Sequence, residues 1–444
     1  MRQGNIAATL GMFVIATAVF AAAPAVALQP LEAFVAAARE RNPDALEARA
    51  NLAQQSAQAD VALGSRLPGI SARGTYTRNQ YQSQIPLPAQ ITLPGSSTTT
   101  LVPFNQWDGS ATLTVPLVDL AGFRRVEAAN TNVEAATQQL AATRLQVESQ
   151  TAQDYFQLVA DRALIAAAEN ALEVSRESLR LADARRQAGT ATGLDVDRAR
   201  ADVENQVQQL ASARLQTSLA ARALESTTGI APDTSAVELV DDLHSEPDLA
   251  AFEAGVGQVP SVAAAAGAFS AARQTADAQK LSLLPSLAGS FAERATNAPG
   301  FVAHDWTYQA AVTASWTFDL TSLANIRGQN AAADAAGARE LRARLLARDA
   351  VHRQWNTVVA GIARSRSART GREAAAHAAD LARKSYQAGT VTQLELLQAL
   401  RDSFSAEVAR IQADADLVNA RAQLRLAAGH SLLAAEETNS GRIR

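Results

Sequence analysis

The chain has 444 residues, a formal net charge of -4 and no cysteine. That charge leaves no basic footprint for a phosphate backbone, which excludes nucleic acid as a partner. The missing cysteines exclude a disulfide framework and a lipidated N-terminal cysteine, and the length suits either two or three ordinary domains or one elongated architecture built from repeats.

The N-terminus carries Arg2, an apolar run from about Ile6 to Phe20 and the small-residue sequence Ala25-Val26-Ala27. Together these predict a cleaved signal peptide over residues 1–27, too short for a membrane-spanning helix. No second apolar run of spanning length is expected after it. A helix is predicted from about Pro43 to Leu67, then a strand from Ile70 to Asn79 after the helix-ending Pro68. In the strand, Ile70, Ala72 and Tyr76 alternate with Ser71, Arg73, Thr75 and Thr77, and from Trp107 to Val115 odd positions are apolar or small and even ones polar. That period of two belongs to strands with unlike faces.

From Asp119 to Gln187 helix-forming residues run almost uninterrupted by Pro or Gly. At 1.5 Å per residue this is a helix about 100 Å long, far beyond a core helix of a globular domain. A Gly/Thr turn at Gly189 to Thr192 then leads into a return helix from about Leu194 to Gly229. Residues 231–258 read as a linker. A second short helix (Pro260 to Leu284), a strand pair (Ser286 to Arg294 and Trp306 to Phe318), a second long helix, a turn at Gly389 to Thr392 and a return helix to Gly429 follow. Residues 431–444 read as a flexible tail.

The chain is therefore duplicated. Gln187-Ala188-Gly189-Thr190 recurs as Gln387-Ala388-Gly389-Thr390, Asp119-Leu120 recurs as Asp319-Leu320, and Gly229 recurs as Gly429, all 200 positions apart. The repeats are 28–230, with a β-hairpin at about 69–117 and a helical hairpin at 119–229, and 259–430, with a β-hairpin at about 286–318 and a helical hairpin at 319–429. In each, the short and return helices together span roughly 60 residues, nearly the length of the unbroken helix beside which they could stack. The strands have the 9 to 11 residues of a transmembrane β-strand, with Trp and Tyr near their ends. Four strands cannot close a barrel, and lipid tolerates no open edge, so a membrane location requires several copies.

From about Leu28 to His430 the chain resembles the outer-membrane efflux protein (TolC) family. The resemblance is carried by Leu31-Glu32-Ala33-Phe34 with Asn42-Pro43, Leu67-Pro68, and Pro116-Leu117-Val118-Asp119-Leu120. It is carried also by the tip motifs Gly189-x-x-Thr192-x-Leu194-Asp195-Val196 and Tyr386-x-x-Gly389-x-x-Thr392-x-Leu394-Glu395-Leu396-Leu397. The resemblance implies a mainly α fold with a small β part, in which duplicated helical hairpins form a periplasmic α-barrel. Four strands per protomer would contribute to a trimeric 12-stranded outer-membrane β-barrel. It implies a homotrimer working with a periplasmic adaptor and an inner-membrane RND, ABC or MFS pump, as the exit duct of a tripartite efflux or type I secretion system.

By themselves the tips read as helix stops and restarts: glycine after the helix end, then Thr192-x-x-Asp195 and Thr392-x-x-Glu395 as capping boxes. The resemblance adds adaptor contact at Gly189, Thr192, Leu194, Asp195, Gly389, Thr392 and Leu394. It also adds a gate or constriction at Asp195, Tyr386, Glu395 and Gln398. Glu395 would supply a carboxylate ring that attracts cations, weakened because Gln398 is uncharged at the second acidic position. Val391 stands where the family's gate has a basic residue.

Nothing points to an enzyme, a cofactor or a metal. The five histidines lack metal-ligand spacing, and no nucleophile-elbow, P-loop or dinucleotide fingerprint occurs. The rival readings are a periplasmic adaptor, which would carry one hairpin in a β-rich domain, and a structural coiled-coil protein, which would need no amphipathic strands.

Overall fold

The computed structural model describes residues 29–86, 98–233, 241–300 and 304–433. The proposed signal peptide and the end of the proposed tail lie outside them. The elements in order are α1 (Leu31–Arg41), α2 (Pro43–Gly64), β1 (Gly69–Arg78), β2 (Ser83–Pro86), β3 (Thr98–Val102), β4 (Asn105–Val118), α3 (Leu120–Gln187) and α4 (Gly193–Thr228). Then come α5 (Leu249–Glu253), a 3-10 turn (Val256–Gln258), α6 (Pro260–Leu281), β5 (Ser286–Thr296), β6 (Trp306–Ser315), α7 (Leu320–Ala388) and α8 (Gln393–Ala427).

The duplication is structural as well as sequential. Asp119 and Asp319 begin the long helices, their carboxylates accepting from the backbone N–H groups of Gly122 and Ser322. Gly189 and Gly389 follow the helix ends at φ 76° and 81°, a left-handed conformation that costs glycine little and other residues more. With 68 and 69 residues, α3 and α7 are each about 100 Å long.

Four helical columns lie side by side. The stack of α2 and α4 packs on α3, the stack of α6 and α8 packs on α3's other flank, and α7 packs on α6 and α8. Small residues permit the close approach: Gly267 of α6 crosses α3 where an added Cβ would lie 2.9 Å from that of Ala135. Each hairpin is pinned near mid-length. Phe34 of α1 inserts among Tyr155, Phe156, Leu158 and Leu224. In the second repeat Val256 of the turn after α5 meets Val351, Val358, Leu417 and Leu424. Leu158 and Leu224 thus have counterparts 200 positions on in Val358 and Leu424.

Two expectations are corrected. The stretch Leu249–Leu281 is long and apolar enough to cross a membrane by length and composition. It is interrupted at Val259-Pro260, and α6 runs between α3 and α7 as one of the columns, its apolarity coming from alanines that let the helices approach. Of the segment read as a tail, Ser431 and Leu432 are bonded to the buried Glu148, and Ser431 also accepts from Arg39. An additional short hairpin, β2 with β3, extends beyond the ends of β1 and β4, and β6 stops at Ser315, before Phe318.

Candidate functional site

The main sheet has the order β1-β4-β5-β6 with every neighbouring pair antiparallel. Register decides which side chains share a face. Ile70 pairs with Leu113 and Tyr76 with Trp107, Leu113 pairs with Phe291, and Ala295, Glu293 and Gly289 pair with Trp306, Tyr308 and Val312. All these residues therefore lie on one face. Ile70, Tyr76, Trp107, Phe291, Trp306, Tyr308 and Val312 are exposed there, a contiguous apolar surface of the kind that lipid covers. The other face carries Ser71, Arg73, Thr75, Thr112, Thr114, Ser290, Arg294, Thr307, Gln309 and Thr313. The third strand breaks the pattern because Glu293 stands on the apolar face beside Tyr308, at the aromatic end of the sheet where an acidic side chain costs least. Among the described residues, neither β1 nor β6 has a second partner strand.

The helical tips lie about 100 Å from this sheet, at the far ends of α3 and α7. At the first tip Thr192 Oγ1 accepts from the N–H of Asp195, and Asp195 accepts in return from the Thr192 N–H at 3.0 Å and hydroxyl at 2.7 Å. Glu395 does the same for Thr392, at 2.7 and 3.0 Å. Those bonds hold both carboxyls below the usual range, the Thr192 hydroxyl contributing most at Asp195 and the Thr392 backbone most at Glu395. Each tip thus presents an ionised carboxylate. Leu194 and Leu394, at matching places in the two turns, are exposed, and Gln398 is exposed one turn beyond Glu395.

The two gate candidates implied by resemblance, Tyr386 and Asp195, are not joined by a hydrogen bond among the described residues. Asp195 is occupied by its cap, and the buried Tyr386 ring lies under the Arg185 guanidinium, 4.5 Å from its carbon to the ring centroid. Further contacts tie the hairpins together. Arg401 Nε donates to Asp202 at 2.9 Å, and Ser175 Oγ donates to the same carboxylate at 2.6 Å. Gln393 donates to Ser178 at 3.3 Å. These groups carried no sequence signal, since Arg401 and Asp202 are 199 positions apart and only packing brings them together.

At mid-length a second polar cluster anchors residues 241–258. Arg421 of α8 is buried, with Asp241 at 2.9 Å, the carbonyl of His244 at 2.7 Å and Glu246 in direct contact. Arg369 donates to the Asp241 carbonyl and to Asp414, both at 3.0 Å. Asp241, Asp242 and His244 lie close enough to share a cation, but Asp241 is already neutralised by Arg421.

The sequence profile of the outer membrane efflux protein family matches residues 35–230 and 257–430. No curated protein matches the sequence. Among solved structures the chain is similar to the outer-membrane channel OprN (23% identity, 90% of each chain, TM-score 0.74). It is also similar to the CmeC outer membrane channel of Campylobacter jejuni (17% identity, 94% of this chain and 90% of that one, TM-score 0.77). The open-state MtrE outer membrane channel of Neisseria gonorrhoeae is a further match (19% identity, 91% and 90%, TM-score 0.73). These likenesses carry the fold: barrel strands at one end of a helical barrel stave. The family profile covers both repeats, placing the chain in the outer membrane with its helices extending into the periplasm, and the protein belongs to the outer membrane efflux protein family.

Proposed function

We propose that this protein is the exit duct of a tripartite efflux or type I secretion system, a homotrimer that receives substrates from an inner-membrane RND, ABC or MFS pump through a periplasmic adaptor. The observation that carries this reading is the four-stranded sheet with an exposed apolar face and two open edges, set at one end of helices about 100 Å long. Because β1 and β6 run antiparallel, β6 of one copy can continue onto β1 of the next, and three copies close 12 strands. The same operation brings α7 against the α2 and α4 stack of the neighbour. Leu341, Leu345 and Leu346 of α7 and Leu215 and Leu219 of α4 are exposed in the single chain, as surfaces awaiting such a neighbour would be.

The residue ranges named above as domains keep their roles in this reading: membrane strands, helical hairpins and a middle segment. The turns at Gly189 to Asp195 and Gly389 to Glu395 are the adaptor-facing ends, where exposed Leu194 and Leu394 offer apolar anchors. Glu395 and Gln398 line the constriction.

Two measurements test it. Detergent-extracted protein should run as a trimer unboiled and fall to the monomer on boiling, at about 44 kDa once the signal peptide is removed from the 46.6 kDa chain; a soluble monomer would sink the duct reading. In planar bilayers, Glu395→Gln keeps an acceptor for the Thr392 N–H while removing the charge. Block by trivalent cations from the periplasmic side should weaken about tenfold, and unchanged block would remove Glu395 from the constriction.

A further inference from the structure

The polar face of the sheet carries its charges unevenly. β1 contributes Arg73, β4 Asp108 and β5 Arg294, and β6 contributes no charged residue at all. Register places Arg73, Ser110, Arg294 and Thr307 on one transverse row, with Thr75, Asp108 and Thr296 on the row above. Asp108 is taken: its carboxylate lies 2.5 Å from Arg294 Nη2 and accepts from Gln106 at 2.7 Å. Arg73 is exposed and makes no ion pair among the described residues. It sits on the edge strand, and the strand that would close onto it, a neighbour's β6, offers only Thr307, Gln309, Ala311, Thr313 and Ser315 on that face. The remaining acid on this side, Asp305, stands beyond the end of β6 at the level of Asp108.

We infer that Arg73, repeated around the trimer, forms a positively charged belt inside the membrane barrel that attracts small anions to the outer half of the duct. This rests on the trimeric-duct reading. If the apolar face meets lipid, the Arg73 face must line the lumen. Twelve strands about 4.8 Å apart and tilted by about 40° enclose a cylinder roughly 24 Å across. Arginine side chains built of bonds of about 1.5 Å reach inward roughly 6 Å from each wall, leaving a half-width of about 6 Å. The screening length at physiological ionic strength is about 8 Å, so the fields of the guanidiniums overlap across the opening. Rings of Arg or Lys favour anions as rings of Asp or Glu favour cations. The duct would then carry opposite charge at its two ends, acidic at the Glu395 tip and basic at the exit.

The test is the reversal potential of purified trimers in planar bilayers under a KCl gradient, with about 10 mM salt on the dilute side, where screening extends to about 30 Å. Arg73→Gln should lower the chloride-to-potassium permeability ratio about threefold or more, and Arg73→Lys should preserve it. The difference between Arg73→Gln and the parent should vanish near 1 M salt, where screening shrinks to about 3 Å. An intact trimer whose ratio is unchanged by Arg73→Gln overturns the belt and leaves the duct reading standing. Protein that forms no channel at all overturns both.

Discussion

Arg421→Met is expected to be the most damaging single substitution outside the apolar core. The guanidinium is buried against Asp241, Glu246, His244 and the His244 carbonyl, so its removal leaves two carboxylates of low exposure without a counter-charge. Breaking a buried ion pair from one side costs about 3–5 kcal/mol, more than the pair itself contributes relative to an apolar replacement. The effect should be local before it is global. Residues 241–258 are held to α7 and α8 by this arginine, by Arg369 and by Trp355, whose indole N–H donates to the Pro247 carbonyl at 2.9 Å. Limited proteolysis should therefore cut this segment at least tenfold faster in the variant, and the heat-induced loss of the unboiled oligomer band should move to lower temperature. Unchanged proteolysis would mean that Val256 and Val259, packed among Val351 and Leu417, hold the segment unaided.

Arg401→Ala is expected to loosen the tips with little effect on the barrel. Asp202 is 1% exposed and, among the described residues, retains only Ser175 once Arg401 is gone, and stranding a buried carboxylate costs about 2 kcal/mol or more. That cost falls only where α8 lies against α3 and α4, so the variant shifts the balance toward states in which the second hairpin has moved away from the first. A shift of about 2 kcal/mol raises the population of a minor open state roughly thirtyfold. Single-channel recordings should show more frequent high-conductance openings, while the trimer survives in detergent. Asp202→Asn combined with Arg401→Ala removes the stranded charge and should recover part of the closed behaviour. If Arg401→Ala leaves conductance untouched, the Tyr386 ring beneath Arg185 and the bond from Gln393 to Ser178 suffice to hold the tip.

What was legible along the chain was whatever repeats or depends on near neighbours. The caps at Asp119, Asp319, Thr192 and Thr392 use donors three residues away, and the long helices follow from runs without Pro or Gly. The period of two in Ile70 to Tyr76 and Trp306 to Val312 was legible for the same reason. Short elements escaped: α1 has 11 residues, and β2 and β3 have four and five, too few for a periodic signal to rise above composition. The apolarity of Leu249–Leu281 is hard to see along the chain because it comes from alanines, each only weakly apolar beside Leu or Val, that together reach the hydropathy of a spanning segment.

The candidate site divided in the same way. Resemblance supplied Asp195, Tyr386, Glu395 and Gln398, while the contacts that join the hairpins, Arg185 with Tyr386 and Arg401 with Asp202, could be seen only in the folded chain. The sequence by itself determined the duplication, the order of helices and strands, the capped tips and the unlike faces of the strands, because each of these rests on local propensity or a fixed period. Tertiary structure alone decided which column packs on which, which rows of charges share a level in the sheet, and which buried carboxylate meets which arginine. Those outcomes depend on register and on contacts between residues distant in the chain, 199 positions for Arg401 with Asp202 and 180 for Arg421 with Asp241, about which local sequence carries no physical information.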